Sequence, residues 1–215
     1  MNLSFQKSTI NSSLKDLYMS DNKTRCEWSK QHQIDQDYHD TEWGVPVYDD
    51  RKLFEMLCLE GQQSGMSWHI ILLKRKNYQE LFENFEAEAI VEFSDDYLEA
   101  LMQEKGIIRN KLKIKAIVTN AKAYLKVKEE FGTFKDYIWQ FTDHKVIQNN
   151  WKTMEEVPTK TEISDRMSKD LKKRGFKFVG SITCYAYMQG VGMVNDHTVD
   201  CFRHKEVQQL ARPRA

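Results

Sequence analysis

A chain of 215 residues with 40% hydrophobic and 12% aromatic side chains can bury a substantial core, as one large domain or two small ones, which excludes wholesale disorder. Thirty-two basic residues balance 32 acidic ones, so no long-range field draws the chain to nucleic acid or membrane, and any DNA-binding surface has to be a local basic patch. Four cysteines at irregular spacing, no secretory leader and no apolar run near the roughly 20 residues of a membrane span predict a soluble protein of the reducing cytoplasm, with no membrane partner.

Residues 1–24, rich in Asn, Ser and Lys, predict a flexible or weakly helical extension with Met19 as an alternative start, and the folded part is expected to begin near Arg25. Short helices and turns follow through Trp28, Tyr38, His39 and Trp43. Asp49 or Asp50 is placed to cap a helix through Leu53, Phe54, Leu57 and Cys58. Ser67 opens the next, with Ile70, Ile71, Tyr78, Leu81 and Phe82 as buried candidates, and Ser94 caps a short one that Gly106 breaks. The longest periodic stretch runs from Arg109 to Glu130, with Ile114, Ile117, Val118, Ala121, Tyr124 and Leu125 on one face and Arg109, Lys111, Lys113 and Lys115 read as a solvated face.

Thr133 and Asp136 suggest a capping box, and 142–160 a connector. Ser164 is expected to cap a helix that ends at Arg174–Gly175, a further helix spans Ser181 to Gln189, and a last short one carries His197 to Phe202. No stretch alternates convincingly, and there are only 3 prolines and 9 glycines. The fold class is all-α.

Three clusters carry chemistry. In Leu59-Glu60-Gly61-Gln62-Gln63-Ser64-Gly65-Met66-Ser67-Trp68, a carboxylate stands eight residues before a large flat ring, across two glycines that permit sharp backbone paths. That pairing suits a planar, cationic ligand such as a damaged nucleobase; the plainer alternative is a surface Glu and a core Trp. Cys26, His39, His197 and Cys201 compose a Cys₂His₂ set of the kind zinc favours, with four protein ligands and therefore no open position for water. Spacing alone leaves open that these are small buried hydrophobes and core histidines. Finally, Lys172-Lys173-Arg174-Gly175-Phe176-Lys177-Phe178-Val179-Gly180 is a basic helix end and a tight turn feeding a helix N-terminus. It could seat a DNA phosphate, or be an ordinary solvated helix–turn–helix.

With these residues in hand, the chain closely resembles the 3-methyladenine DNA glycosylase I family from about Arg25 to about His204. The motifs that carry the resemblance are Cys26-x-Trp28, Tyr38-His39-Asp40-x-Glu42-Trp43-Gly44-Val45-Pro46, the Leu59–Trp68 stretch, Lys172–Gly180 and Val194-Asn195-Asp196-His197, in the family's order. The resemblance implies a helix-hairpin-helix glycosylase fold over 25–204, with a zinc-containing second lobe built from the N- and C-terminal segments and a tail over 205–215. It implies one structural zinc on Cys26, His39, His197 and Cys201. It implies that Glu60 and Tyr38 hydrogen-bond the base, that Trp68 stacks on it with Trp28 and Trp43 walling the pocket, and that Gly65 and Met66 form the wedge filling the gap in the duplex. Arg174, Gly175, Lys177 and Gly180 would hold the backbone of double-stranded DNA containing alkylated adenine, with the protein acting as a monomer.

Two departures stand out: Asp35 replaces an expected aromatic of the pocket wall, and Met66 replaces the usual leucine of the wedge. The wider superfamily places an assisting aspartate where this chain has Asn195, and its lyases place a lysine where this chain has Ile182. The expectation is a monofunctional hydrolase that releases 3-methyladenine and leaves the strand uncut. The competing reading is a zinc-stapled module that binds lesions without excising them.

Overall fold

The computed structural model describes residues 22–211; Met19 and nearly all of the extension expected over 1–24 lie outside them. Ten α-helices are described: α1 Gln33–Thr41, α2 Asp50–Gln63, α3 Trp68–Leu81, α4 Ala87–Ile90, α5 Asp95–Leu101, α6 Lys111–Phe131, α7 Phe134–Trp139, α8 Glu162–Lys173, α9 Ser181–Gly190 and α10 Phe202–Leu210. The only strands among the described residues are two-residue segments, β1 Ile147–Gln148 and β2 Val194–Asn195, paired in parallel. The all-α expectation therefore holds apart from one bridge inside the expected connector.

Helix α2 is the axis of the molecule. Every residue from Leu53 to Gln62 is buried, and the helix packs on α3, α6, α7 and α9. A helix apolar on all sides needs neighbours on all sides. Its start carries two adjacent acids with different tasks: the Asp49 carboxylate accepts from the Lys52 amide as N-cap, while Asp50 accepts from the amides of Phe134 and Lys135 and so caps α7 from across the core. Thr133 accepts from the Asp136 amide as expected, and Ser94 caps α5. Helix α3 is tied to α1 and α2 by Arg75, whose guanidinium grips Glu42 with two bonds of 2.9 Å and the buried Glu55 at 2.7 Å.

Four expectations change. Ser164 does not cap α8; Thr161 does, with Ser164 as the reciprocal partner three residues on. The segment from His197 to Cys201 is not helical, because Cys201 is the N-cap of α10 and the helix begins at Phe202. That helix continues to Leu210 with Val207 buried, so the folded part extends past His204 into the segment read as a tail. Gly61 makes no sharp path: it lies inside α2, where a Cβ would stand 3.1 Å from Phe178, so its missing side chain admits the turn between α8 and α9 against the helix. Phe178 itself sits at φ 56°, a left-handed conformation that costs a bulky residue energy and that this packing holds in place.

The first and last parts of the described chain meet. The Phe202 amide donates to the Thr24 carbonyl, the Gly44 amide to Gln189, and the Val47 amide to Val191. The segment before α2 thus lies along the end of α9 and the start of α10.

Candidate active site

A cavity of about 180 Å³ opens among α1, α2, α3 and α9, lined by Trp28, Tyr38, Trp43, Glu60 and Trp68 together with Gln63, Met154, Ala186 and Gln189. Every residue singled out for a base pocket meets there. Trp28 stands edge-on to Trp43 at 5.2 Å between ring centroids, and Tyr38 is tilted against Trp68 at 5.4 Å. Rigid rings from four separate elements make a box sized for one planar ligand.

Two polar groups of this box are left without partners. Glu60 is 4% exposed and its Oε2 has no hydrogen-bond partner; nor has the indole N–H of Trp68. Buried polar atoms without partners are rare in folded proteins, and two lining one cavity mark the place of a ligand that pairs them. Burial alone pushes the Glu60 carboxyl up to about 8, because no cation nearby restores the charged form. The Tyr38 hydroxyl is held well above its ordinary value by burial and then by the Glu60 charge, so it remains a donor at neutral pH. An ideal Cβ on Gly190 would lie 3.2 Å from the Tyr38 hydroxyl and 3.4 Å from Glu60 Oε1, so a glycine gives the pocket floor its depth.

A groove leads from this cavity along Glu60, Gln63, Gly65, Met66, Gly180 and Ile182. Gly65 takes φ +80°, which needs its missing side chain, and the turn presents Met66 outward at 39% exposure. Across the groove, the chain between α8 and α9 turns through Gly175 at φ +98°, and Gly180 is the N-cap of α9. Asn120 on α6 locks this hairpin, accepting from the Lys177 amide at 2.7 Å and donating to the Lys177 carbonyl at 3.2 Å.

Arg174 does not join the groove. It pairs with Glu130 and Asp170 and lies over the rings of Phe131 and Tyr137, on a separate surface. Asp35 is also absent from the pocket wall: it is buried and accepts from His69 Nδ1 at 3.0 Å. Asn195 is turned inward, donating to Gln148 and to the His204 carbonyl. Asp196 accepts four bonds, from Asn149, Trp151, Tyr185 and Gln189, and thereby fixes Gln189 in the pocket wall.

Sequence reasoning missed Met154, Gln189 and Lys113. The last was read as part of a solvated face, yet Lys113 is 6% exposed and its ammonium donates to the carbonyls of Gln62 and Ser64, both at 2.7 Å. It caps the C-terminus of α2 and pins the Gly65–Met66 turn, a position where the helix dipole favours a cation. Desolvation pulls its pKa down.

On the far side of the box, Cys26, His39, His197 and Cys201 bring four donor atoms within 4.8 Å of one another, all buried. Cys201 Sγ lies 3.4 Å from His39 Nε2 and 3.5 Å from His197 Nδ1, and Cys26 Sγ lies 3.7 Å from the latter. The outer nitrogens are also held: His39 Nδ1 by Asp40 at 2.8 Å, itself gripped by Arg25, and His197 Nε2 by the Trp43 carbonyl at 3.0 Å. The Cys26 thiol and the two imidazoles stabilise Cys201 as a thiolate. His197 and Cys201 converge because the turn before α10 folds them together, not because they share a helix.

Fold and cavity together define a helical protein with an aromatic-lined cavity beside a groove. A family model for methyladenine glycosylase matches residues 28–204. The DNA-3-methyladenine glycosylase of Haemophilus influenzae is 50% identical over 178 residues, covering 83% of this chain and 96% of that protein. A crystal structure of 3-methyladenine DNA glycosylase I superposes with a TM-score of 0.82 at 46% identity, over 83% of this chain and 98% of that one. A tyrosine-to-phenylalanine variant of 3-methyladenine DNA glycosylase I, solved in complex with 3-methyladenine, gives a TM-score of 0.81 at 32% identity, over 83% and 96%. This chain belongs to the methyladenine glycosylase family.

Proposed function

We propose that this protein is a base-excision glycosylase that rotates an alkylated adenine out of duplex DNA and hydrolyses its N-glycosidic bond, releasing 3-methyladenine. The observation that carries this reading is the pair of unpartnered buried groups, Glu60 Oε2 and the Trp68 N–H, in an aromatic-lined cavity. A nucleotide inside a duplex is out of reach of such a box, so it must be flipped, and an alkylated base costs least to unstack. Met66 on its exposed turn is placed to fill the vacated gap, and the free amides at the start of α9 face the groove where the backbone would run.

An adenine methylated at N3 is cationic in DNA and leaves as a neutral molecule, so little leaving-group protonation is needed. Glu60 then acts through charge and geometry. A cation entering the box restores the carboxylate that burial disfavours, while Tyr38 donates to an acceptor position on the base edge and Trp68 stacks on the base face. Attraction for the bound base alone does not accelerate the reaction. The rate contribution of Glu60 lies in orienting the base and in stabilising positive charge that develops on the sugar.

The Cys₂His₂ cluster fits a structural zinc. Bonds of about 2.3 Å to sulfur and about 2.0 Å to nitrogen give tetrahedral sulfur–nitrogen edges of about 3.5 Å. The separations here are 3.4, 3.5 and 3.7 Å, and both histidines have the outer-nitrogen partners that metal ligands need. The metal would join the segment before α2 to the start of α10 and stand behind Trp28 and Trp43.

Strand cleavage would need a nucleophilic amine at the groove. Ile182 occupies the start of α9, and Lys160, which also lines the groove, stands 3.5 Å from Asp165. The protein is therefore a monofunctional hydrolase on this reading. Incubation with methylated duplex DNA, with chromatography of the released bases and electrophoresis of the strands, tests both parts. Selective release of 3-methyladenine with uncut strands is the expected outcome. Retained DNA binding without release would leave a lesion-binding module, and cut strands would assign a lyase step to Lys160.

A further inference from the structure

Outside the base pocket and the Cys₂His₂ cluster, one other group of metal-type donors gathers among the described residues: His32, Asp35 and His69, with one donor atom from each within 4.8 Å of the others. We propose that these three side chains form a second metal site, for a divalent transition cation of the nickel, zinc or cobalt class.

The donors come from two rigid elements that already touch. His32 is the N-cap of α1, Asp35 lies in its first turn, and His69 lies in the first turn of α3. The Asp35 carboxylate approaches His69 Nδ1 at 3.0 and 3.2 Å, which is the edge length between cis ligands on an ion with bonds of about 2.1 Å. The His32 and His69 rings lie 4.1 Å apart and 30° from parallel, and each offers a nitrogen within 4.8 Å of the other donors. His32 is exposed, and its side chain is free to rotate toward an ion shared with the other two.

Two imidazoles and one carboxylate suit borderline cations that accept nitrogen and oxygen together, and they leave positions open to water. The set carries one buried negative charge, with no lysine or arginine among its ion-pair partners. Two helix N-termini meet here, and their dipoles oppose a cation. Asp35 offsets them, which makes the carboxylate indispensable to the site.

The position gives the site a consequence. Asp35 is one turn before Tyr38 on α1, and His69 directly follows Trp68 on α3. An ion shared by Asp35 and His69 would clamp the two helices that carry the facing pocket walls, whose rings stand 5.4 Å apart. The residue that departs from the expected aromatic wall thus becomes a ligand behind the wall.

Calorimetric titration of nickel alone into the untagged full chain, previously loaded with zinc and freed of excess, tests the proposal. Metal analysis before and after confirms that the zinc is retained. Uptake of one further equivalent is expected, weakened by about tenfold or more in each of His32→Gln, His69→Gln and Asp35→Asn, with zinc content unchanged in all three and melting temperature unchanged in His32→Gln. Absence of nickel uptake, uptake only by zinc exchange, or uptake unaffected by the variants would overturn it.

Discussion

The base box and the Cys₂His₂ cluster share a wall. Trp28 and Trp43 line the box on one side, and on the other Trp28 stands edge-on to His39 and Trp43 to His197. Both regions are buried and rich in polar atoms, yet they treat those atoms in opposite ways. In the cluster each imidazole nitrogen has a partner, down to the outer nitrogens held by Asp40 and the Trp43 carbonyl. In the box, Glu60 and Trp68 keep polar atoms with none. Saturated polar networks hold a shape, whereas unsaturated ones wait for a ligand and cost stability until it arrives. The difference separates what positions the site from what acts in it.

The comparison breaks most sharply at the cluster. Replacing one ligand, Cys201→Ser, removes a thiolate from a buried four-donor set and should destabilise the fold by about 3 kcal/mol or more, read as a lower denaturant midpoint. If the cluster holds zinc as proposed, chelation should lower the midpoint of the natural chain in the same direction. The box behaves oppositely: Trp68→Ala should leave stability nearly intact, since that residue is only half-buried. It should lower kcat/KM on methylated duplex by about 10- to 100-fold through lost stacking, worth about 1–3 kcal/mol per base. Unchanged activity would remove Trp68 from the pocket's function.

A smaller effect lies between the two regions, at Lys113. Lys113→Met leaves the Gln62 and Ser64 carbonyls without their donor and should cost about 1–3 kcal/mol. Because those carbonyls flank the Gly65–Met66 turn, kcat/KM should fall on duplex substrate while affinity for free 3-methyladenine stays constant. Equal losses in both would make Lys113 a purely structural residue.

Much of this was legible before any coordinates. Local signals worked where the physics is local: the cap at Ser94, the periodic face of α6 and the Asp49 cap of α2 each act over a few residues. The site residues were legible as motifs, and Glu60, Tyr38, Trp68, Trp28 and Trp43 do meet in one cavity. Long-range partnership was not legible. Lys113 looks like any lysine of an amphipathic helix, since the carbonyls it caps lie 49 and 51 residues away. Arg174 sits inside a basic run, but Glu130, 44 residues distant, draws it off the groove. Cys201 and His197 met through a turn where an i, i+4 helical pair was expected, because four-residue spacing is satisfied by either backbone.

The central claim is that Glu60 reads the positive charge of the base, and the pH dependence of kcat/KM measures it directly. Burial holds the Glu60 carboxyl up to about 8 in the free protein, so the charged form is scarce at pH 6 and grows toward pH 8. Because a cationic base selects the carboxylate, kcat/KM on methylated duplex should rise by about tenfold or more from pH 6 to pH 8 and then level off. In Glu60→Gln the rise should vanish, with activity low throughout. A wild-type profile that is flat or falls across this interval, or a Glu60→Gln profile that keeps the same rise, would contradict the account.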